Sequence, residues 1–221
     1  MKKFFLPFIS FIFLIAIILV VIWFNLPNIA AHFLTKDFGV SVSIENILLK
    51  KNQVDIKNFD ISNPKKYKTK KAFFIKNLNI GYNFKELIGE TLVIDSITFN
   101  DIFIGVEFYD SSGNENNWKE IMNMPPHSKN NKKKYLIKKM SLNNISVKLT
   151  KNNGKTETFP TIDNLTFYNI SDESGFPIDE IEKAIAHAVL KSIFEKFSLN
   201  HILDTINPKN IIKSLPIPFT K

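Results

Sequence analysis

The sequence predicts an α+β protein. An N-terminal transmembrane helix leads into a curved, mostly antiparallel β-sheet, and a C-terminal amphipathic helix packs on that sheet. Three observations predict it. Residues 4 to 24 carry no charge and are almost wholly apolar. From residue 38 onward Ile, Val, Phe and Thr alternate with polar residues at the period of two expected of strands. Residues 176 to 197 then change to the three-and-four spacing of a helix with one apolar stripe. The chain divides accordingly into residues 1–34, a cytoplasmic stub and anchor; 35–175, a β-rich domain; and 176–221, a helical segment and tail that pack on the sheet.

The anchor comes first. Lys2 and Lys3 precede the run from Phe4 to Phe24, and no further charge follows until Lys36. At about 1.5 Å per residue the run spans roughly 31 Å, the thickness of a bilayer core. Trp23 and Phe24 sit at its far end, where aromatic residues anchor a span at the interface. A cleaved signal peptide has an apolar core of about 7–15 residues and an A-x-A-like site. This run is longer, and "PNIAAH" offers a poor site after Ala31, so the segment reads as an uncleaved anchor. The lysine pair predicts a cytoplasmic N-terminus, with residues 36 to 221 on the opposite side.

Strands are predicted near 40–49, 53–61, 73–83, 91–99, 102–109, 135–149 and 157–170. "KELIG" at 85 and "NNWKEIMNM" at 116 predict short helical turns, and "KNNGK" at 151 a tight turn at Asn153-Gly154. Short polar breaks between successive strands predict a meander. A six-residue figure recurs within them: "IENILL" at 44, "IKNFDI" at 56, "IKNLNI" at 75, "IDSITF" at 94, "IKKMSL" at 137, "LNNISV" at 142 and "IDNLTF" at 162. Two apolar residues stand three apart across a polar pair. A regular strand would put them on opposite faces. Either the polar pair makes a bulge that restores the face, or the strand changes which face it buries. Repetition of the device predicts a sheet that bends.

In the C-terminal segment Ile178, Ile181, Ile185, Ala188, Val189, Ile193 and Phe197 form the helical stripe. Pro177, Asp179, Glu180 and Glu182 suit its first turn. "LNHILDTI" predicts a second, shorter helix that stops before Pro208.

The order of these parts resembles the AsmA-like envelope proteins, over about residues 5 to 122 and more loosely beyond. Gly39 and Val42 match that family's first strand. Phe59, Ile61, Asn63 and Pro64 match its "L-x-I-x-NP" motif, and Ile80, Phe84 and Leu87 its next. Ile94 and Ile97 fit the following strand, and "GNENNWKEI" the connection after it. The resemblance implies a single-pass protein of the bacterial inner membrane with the bulk of the chain in the periplasm. It implies a role in lipid binding, lipid transfer or outer-membrane homeostasis, with membrane lipids as partners. A structural or assembly scaffold that docks other envelope proteins, without lipid cargo, is the alternative.

No chemistry of catalysis is expected. The chain of 221 residues has no Cys and no Arg, so its 29 basic residues are all Lys. That excludes disulfides, thiolate catalysis and Cys-based zinc sites. His32, His127, His187 and His201 have no ligand partner at helical spacing, and "DESG" at 172 reads as a turn before a helix. Asp101 and Asp110 read as exposed strand-end carboxylates. The expectation is no enzyme, no cofactor, no metal and, without arginine and behind an anchor, no nucleic acid. The lysine runs at 65 and 129 read as solvated surface or as contacts to anionic headgroups, with Lys65, Lys66, Lys70 and Lys71 the candidates. Phe103, Val106 and Phe108 are the candidates for lining a lipid groove.

Overall fold

Asparagine, aspartate and glycine tolerate a left-handed backbone best, and their placement decides how this sheet is built. The structure, a computed structural model, describes residues 5–110, 115–123, 134–177, 179–181 and 183–187, with side chains from residue 20 onward. Helix α1 (Phe5–Phe38) is followed by strands β1 (Val42–Lys50), β2 (Gln53–Ser62) and β3 (Lys71–Gly81). Helix α2 (Phe84–Leu87) leads to β4 (Thr91–Ile94) and β5 (Ser96–Glu107). Helix α3 (Asn117–Asn123), β6 (Lys134–Thr150), β7 (Thr156–Thr158) and β8 (Ile162–Ser171) complete the order.

All eight strands join one mixed sheet. β1, β2, β3 and β5 pair antiparallel in succession. β4 and β5 both pair parallel with β6, and β7 and β8 pair antiparallel with it. The expected meander therefore stops at β5. A parallel neighbour requires the chain to cross back, and α3 lies in that crossover. The boundary expected near residue 100 is also displaced. The break falls at Asp95, and register does not change across it: Ile94 opposes Ile137 and Ile97 opposes Met140. The strand expected at 157–170 is two, β7 and β8. The short helical turns and the Asn153-Gly154 turn are present, with Gly154 at φ +82°.

Two of the seven copies of the figure hold a left-handed residue, Asn58 in "IKNFDI" and Asn144 in "LNNISV", and Asp101 and Asn169 take the same conformation outside the copies. Asn58, Asp101, Asn144 and Asn169 have φ of +49°, +57°, +54° and +55°. An extra left-handed residue lets apolar residues three apart face the same side. Ile102, Leu142 and Ile145 accordingly share one buried cluster, with Phe99, Ile162 and Leu165 packed against it. A second cluster joins Ile137, Met140 and Ile170 to Ile94 and Ile97. Of the two readings, the one in which the polar pair restores the face is correct.

The kinks are also aligned. Pairing skips Glu45, Asn58, Lys76, Asp101, Asn144 and Asp163, and resumes in the same register beyond each. These six residues form one row across β1, β2, β3, β5, β6 and β8. A second row of skipped residues runs through Asp95, Lys138 and Asn169. These six strands step at the same level, so register holds across the row; the β2–β3 pair shifts register only farther along, between Ile61 and Ser62.

The apolar face is covered mainly at the end of the sheet where β1 begins. There Leu34 of α1 and Trp118 and Ile121 of α3 pack with Val40, Val42, Ile61 and Ala72. Residues 179–181 and 183–187 are helical, as expected. Ile181 and Ile185 of this segment join the cluster around Ile102 and Val147. Ile178, Ala188, Val189, Ile193 and Phe197 of the stripe, and the second helix, lie outside the described residues. Among the described residues no helix is long and apolar enough to cross a membrane. Most of the run from Phe4 to Phe24 lies among side chains that are not described. Trp23 and Phe24, at its end, are exposed.

Candidate functional site

The loop between β2 and β3 gathers five lysines, at 65, 66, 68, 70 and 71, in seven residues. Such a run repels itself and needs an anchor if it is to hold a shape. Glu107, at the end of β5, provides one. Its side chain is buried, and its two oxygens accept from the backbone N–H groups of Lys68 at 2.7 Å and Thr69 at 2.8 Å, and from the Thr69 hydroxyl. Asn63 Nδ2 donates to the Thr69 carbonyl at 2.9 Å and to its hydroxyl at 2.7 Å.

Asn117 holds Asn63 in turn. It is fully buried, donates to Asn63 Oδ1 at 2.6 Å and to the Gly105 carbonyl at 2.8 Å, and accepts from the Glu107 N–H at 2.9 Å. Gly105 permits this crowding, because a Cβ there would stand 2.6 Å from the Lys71 carbonyl oxygen. The loop is thus fastened to the sheet by amides and one carboxylate; Lys65 and Lys70 are left exposed, while Lys66 and Lys71 are ion-paired and Lys68 Nζ donates to the Asn152 carbonyl at 3.0 Å.

The loop lies at the end of the sheet where α1 arrives. Only residues 39 to 41 separate α1 from β1, and the Thr35 hydroxyl caps the Val42 N–H at 2.9 Å. The Ser62 N–H donates to the Ser41 carbonyl at 2.9 Å, which places the end of β2 beside the end of the helix. Lysines and α1 therefore share one end of the molecule.

A pocket of about 210 Å³ opens beside the loop, lined by Phe103, Gly105, Lys70, Lys71, Lys148 and the two threonines Thr69 and Thr150. Lys71 Nζ is 2.7 Å from Asp60 and 4.4 Å from the Phe74 ring centroid. Lys65, Lys70 and Lys148 form no ion pair among the described residues. A small apolar wall rimmed by ammonium groups suits an anion that carries an apolar portion.

The structure brings Phe103 together with Lys70 and Lys71, and separates Phe103 from Val106 and Phe108. Val106 and Phe108 are buried on the core face with Ile102 and Ile104. Phe103 points to the other face, because β5 alternates without interruption there. These three residues do not line one groove. Lys66 turns away from the pocket, toward Glu115 and Glu120. Lys65 is exposed. Phe4 lies outside the described residues.

A second apolar surface lies beyond the polar rows. Ile47 opposes Ile56, Ile56 opposes Leu78, and Val54 opposes Ile80, so all lie on one face. Ile47, Val54, Ile56 and Ile80 are half-buried, and Leu49 beside them is exposed.

Among the described residues no group of three or more His, Asp or Glu side chains could hold a metal. Asp101 belongs to the first polar row, where it accepts from Asn144 at 3.0 Å. Sequence reasoning missed Glu107, Asn117 and Lys148. Their signal is three-dimensional, since the loop groups that the Glu107 carboxylate binds lie 38 or more positions away in sequence.

Neither a family model, nor a curated protein, nor a solved structure matches the chain.

Proposed function

We infer that this is a membrane-anchored, non-enzymatic protein of the AsmA-like kind, held in a bacterial inner membrane by residues 4 to 24. Its lysine loop meets anionic headgroups, and its bent sheet offers an apolar face to lipid. One observation carries the reading. The clamped lysine loop lies at the end of the sheet that α1 enters, the end that a bilayer anchored by α1 would face. Lysines near an anionic surface contribute about 1 kcal/mol each. The half-buried face with Ile47, Val54, Ile56 and Ile80 gives an acyl chain a surface to lie on. The left-handed residues of the polar rows favour a bend in the strands.

The full chain, expressed in bacterial membranes with a photoreactive phenylalanine analogue at Ile56 or at Leu48, tests this. Ile56 lies on the apolar face, and Leu48 is exposed opposite Asp55 on the other face, away from the end that α1 enters. Irradiation should give a lipid adduct at Ile56 and none at Leu48. Protein adducts without lipid at Ile56 would transfer the proposal to the scaffold reading.

A further inference from the structure

Helix α1 runs well past the end of the apolar run. The run stops at Phe24, and α1 stops at Phe38. At about 1.5 Å per residue, the part from Asn25 to Phe38 measures roughly 20 Å. Stood upright on a bilayer, it would hold the lysine loop, which sits at its far end, well beyond the ~8 Å screening length of physiological salt. Either α1 bends where it leaves the run, or the loop does not meet the headgroups.

Two features weaken the helix at that point. Pro27 lies inside α1. It has no N–H for the Trp23 carbonyl, and its ring crowds that oxygen. Asn25 Nδ2 donates to the Val21 carbonyl at 2.8 Å, in competition with the backbone. Helices kink at such defects. These fall at the end of the run, where headgroup water can satisfy a freed carbonyl.

Beyond them the helix has two faces. Ala31 is buried, and Leu34 packs with Val40, Val42 and Ile61 of the domain. At about 100° per residue, Ile22, Ile29 and Phe33 share the opposite side. Ile29 is 38% exposed and Phe33 63%. Phe33 meets the neighbouring His32 ring edge-on, and neither Ile29 nor Phe33 joins a core cluster among the described residues. Apolar residues exposed singly are ordinary. These two continue the side of Ile22, which lies within the run, so a bilayer that holds the run is the apolar medium nearest to them. Lys36 and Asp37, the first lysine or acid since Lys3, come only in the last turn.

We propose that residues 28–38 of α1 form an interfacial helix, hinged at Asn25–Pro27, with Ile29 and Phe33 set into the boundary between headgroups and acyl chains. The inference rests on the anchor reading above and adds how the sheet is held against the surface. An amphipathic helix in this position buries its apolar side about 5–10 Å deep. The lysine loop, joined to the end of α1 through Ser41 and Ser62, then lies within reach of the headgroups.

The chain has no cysteine, so a single one takes a unique nitroxide label. Phe33→Cys and Asn28→Cys are labelled in the full chain, in vesicles of phosphatidylethanolamine and phosphatidylglycerol. Both positions are exposed, so neither label disturbs the core. Asn28 lies about 140° round the helix from Phe33. The ratio of relaxation by oxygen to relaxation by a soluble nickel chelate should be at least about fivefold higher at Phe33 than at Asn28. Removing both defects, with Asn25→Ala and Pro27→Ala, should cut that difference to less than about half. An unchanged difference overturns the hinge. Equal, low ratios place Phe33 in water, and equal, high ratios place both residues in the span; either overturns the proposal. A Phe33 label shielded from oxygen and nickel alike is covered by protein, which also overturns it. Carbonate washing of the same vesicles separates the two readings. Retained protein with Phe33 in water sinks the interfacial helix alone, and released protein sinks the anchor and the helix with it.

Discussion

Asn143 donates its side-chain amide to the Asn100 carbonyl oxygen at 2.9 Å across the parallel pair β5–β6, and itself accepts from Asn164. The chain of amides continues. Asn100 donates to Asn79 at 3.4 Å, and Asn79 donates to the Asp55 carboxylate at 2.7 Å. Five strands are tied together, every amide pointing the same way, and the last acceptor is charged. Asn143→Ala removes a donor and an acceptor from the middle and should cost about 1–2 kcal/mol. Asn46 stands at the same level on β1, exposed, with no side-chain hydrogen bond among the described residues. Asn46→Ala should therefore change stability by less than about 0.5 kcal/mol. Thermal unfolding of the two variants in mild detergent compares them, and equal losses would show that the amides do not act as a ladder.

The left-handed positions give a test that touches no contact at all. Asn169 is exposed, at φ +55°, and its side chain makes no hydrogen bond among the described residues. Asn169→Gly should be neutral within about 0.5 kcal/mol, because glycine adopts this conformation freely. Asn169→Val should cost roughly 1–2 kcal/mol, the cost of forcing a β-branched residue there. A neutral valine would mean that the kink is not needed at this level.

These two sites show what could be read in advance. Ile56 and Phe59, or Leu142 and Ile145, announce a face-restoring step within one strand, because three-apart apolar residues contradict a period of two. The same step at Phe99–Ile102 reads in sequence as a boundary between two strands, and at Phe167–Ile170 Tyr168 masks the polar pair. Alignment of the steps into rows is invisible strand by strand, since it depends on register between strands far apart in sequence. The parallel β5–β6 pair was missed for the same reason. The ion pairs of Lys66 were missed because "KKYKTKK" reads as charge, and only the fold brings Tyr109, Glu115 and Glu120 to Lys66.

Acid should weaken the ladder from its charged end. The hydrogen bond from Gln53, then Lys50, then Asn79, hold the Asp55 carboxyl at about 2 against its usual 3.8. A lowered folded-state value stabilises the native protein above the unfolded value, near pH 4, and that stabilisation is lost as pH falls through 2. With allowance for its partly exposed position, the contribution is roughly 1–2 kcal/mol. The gap in unfolding midpoint between wild type and Asp55→Asn should be widest above pH 5 and close by pH 2. A gap that does not depend on pH would remove Asp55 as the titrating group.

Ile185 is 6% exposed and packs in the cluster that contains Ile102 and Val147. Ile185→Asp places an unpaired carboxylate against that apolar surface and should cost about 3–5 kcal/mol. His187, two residues on and exposed, is the control, and His187→Asp should change little. An unfolding midpoint that stays constant in Ile185→Asp would mean that this segment leaves the sheet in solution and is free to meet another partner.

Glu107 decides whether the lysine loop keeps its shape. Its carboxylate gathers two backbone N–H groups and a hydroxyl, all on the loop, and its burial means that water cannot replace them. Glu107→Gln keeps the volume and one carbonyl oxygen but loses the charge, and should cost about 1–3 kcal/mol. Glu107→Ala leaves the donors without an acceptor and should cost more, about 3–5 kcal/mol. Stability alone does not locate the effect, so trypsin provides the readout. The loop carries Lys65, Lys66, Lys68, Lys70 and Lys71, while Lys155 in the exposed β6–β7 turn serves as an internal standard. Cleavage at the loop, relative to Lys155, should rise at least several-fold in Glu107→Gln and further in Glu107→Ala. Loop cleavage that rises only in step with Lys155 would show general loosening, and the clamp would then have no special hold on the lysines.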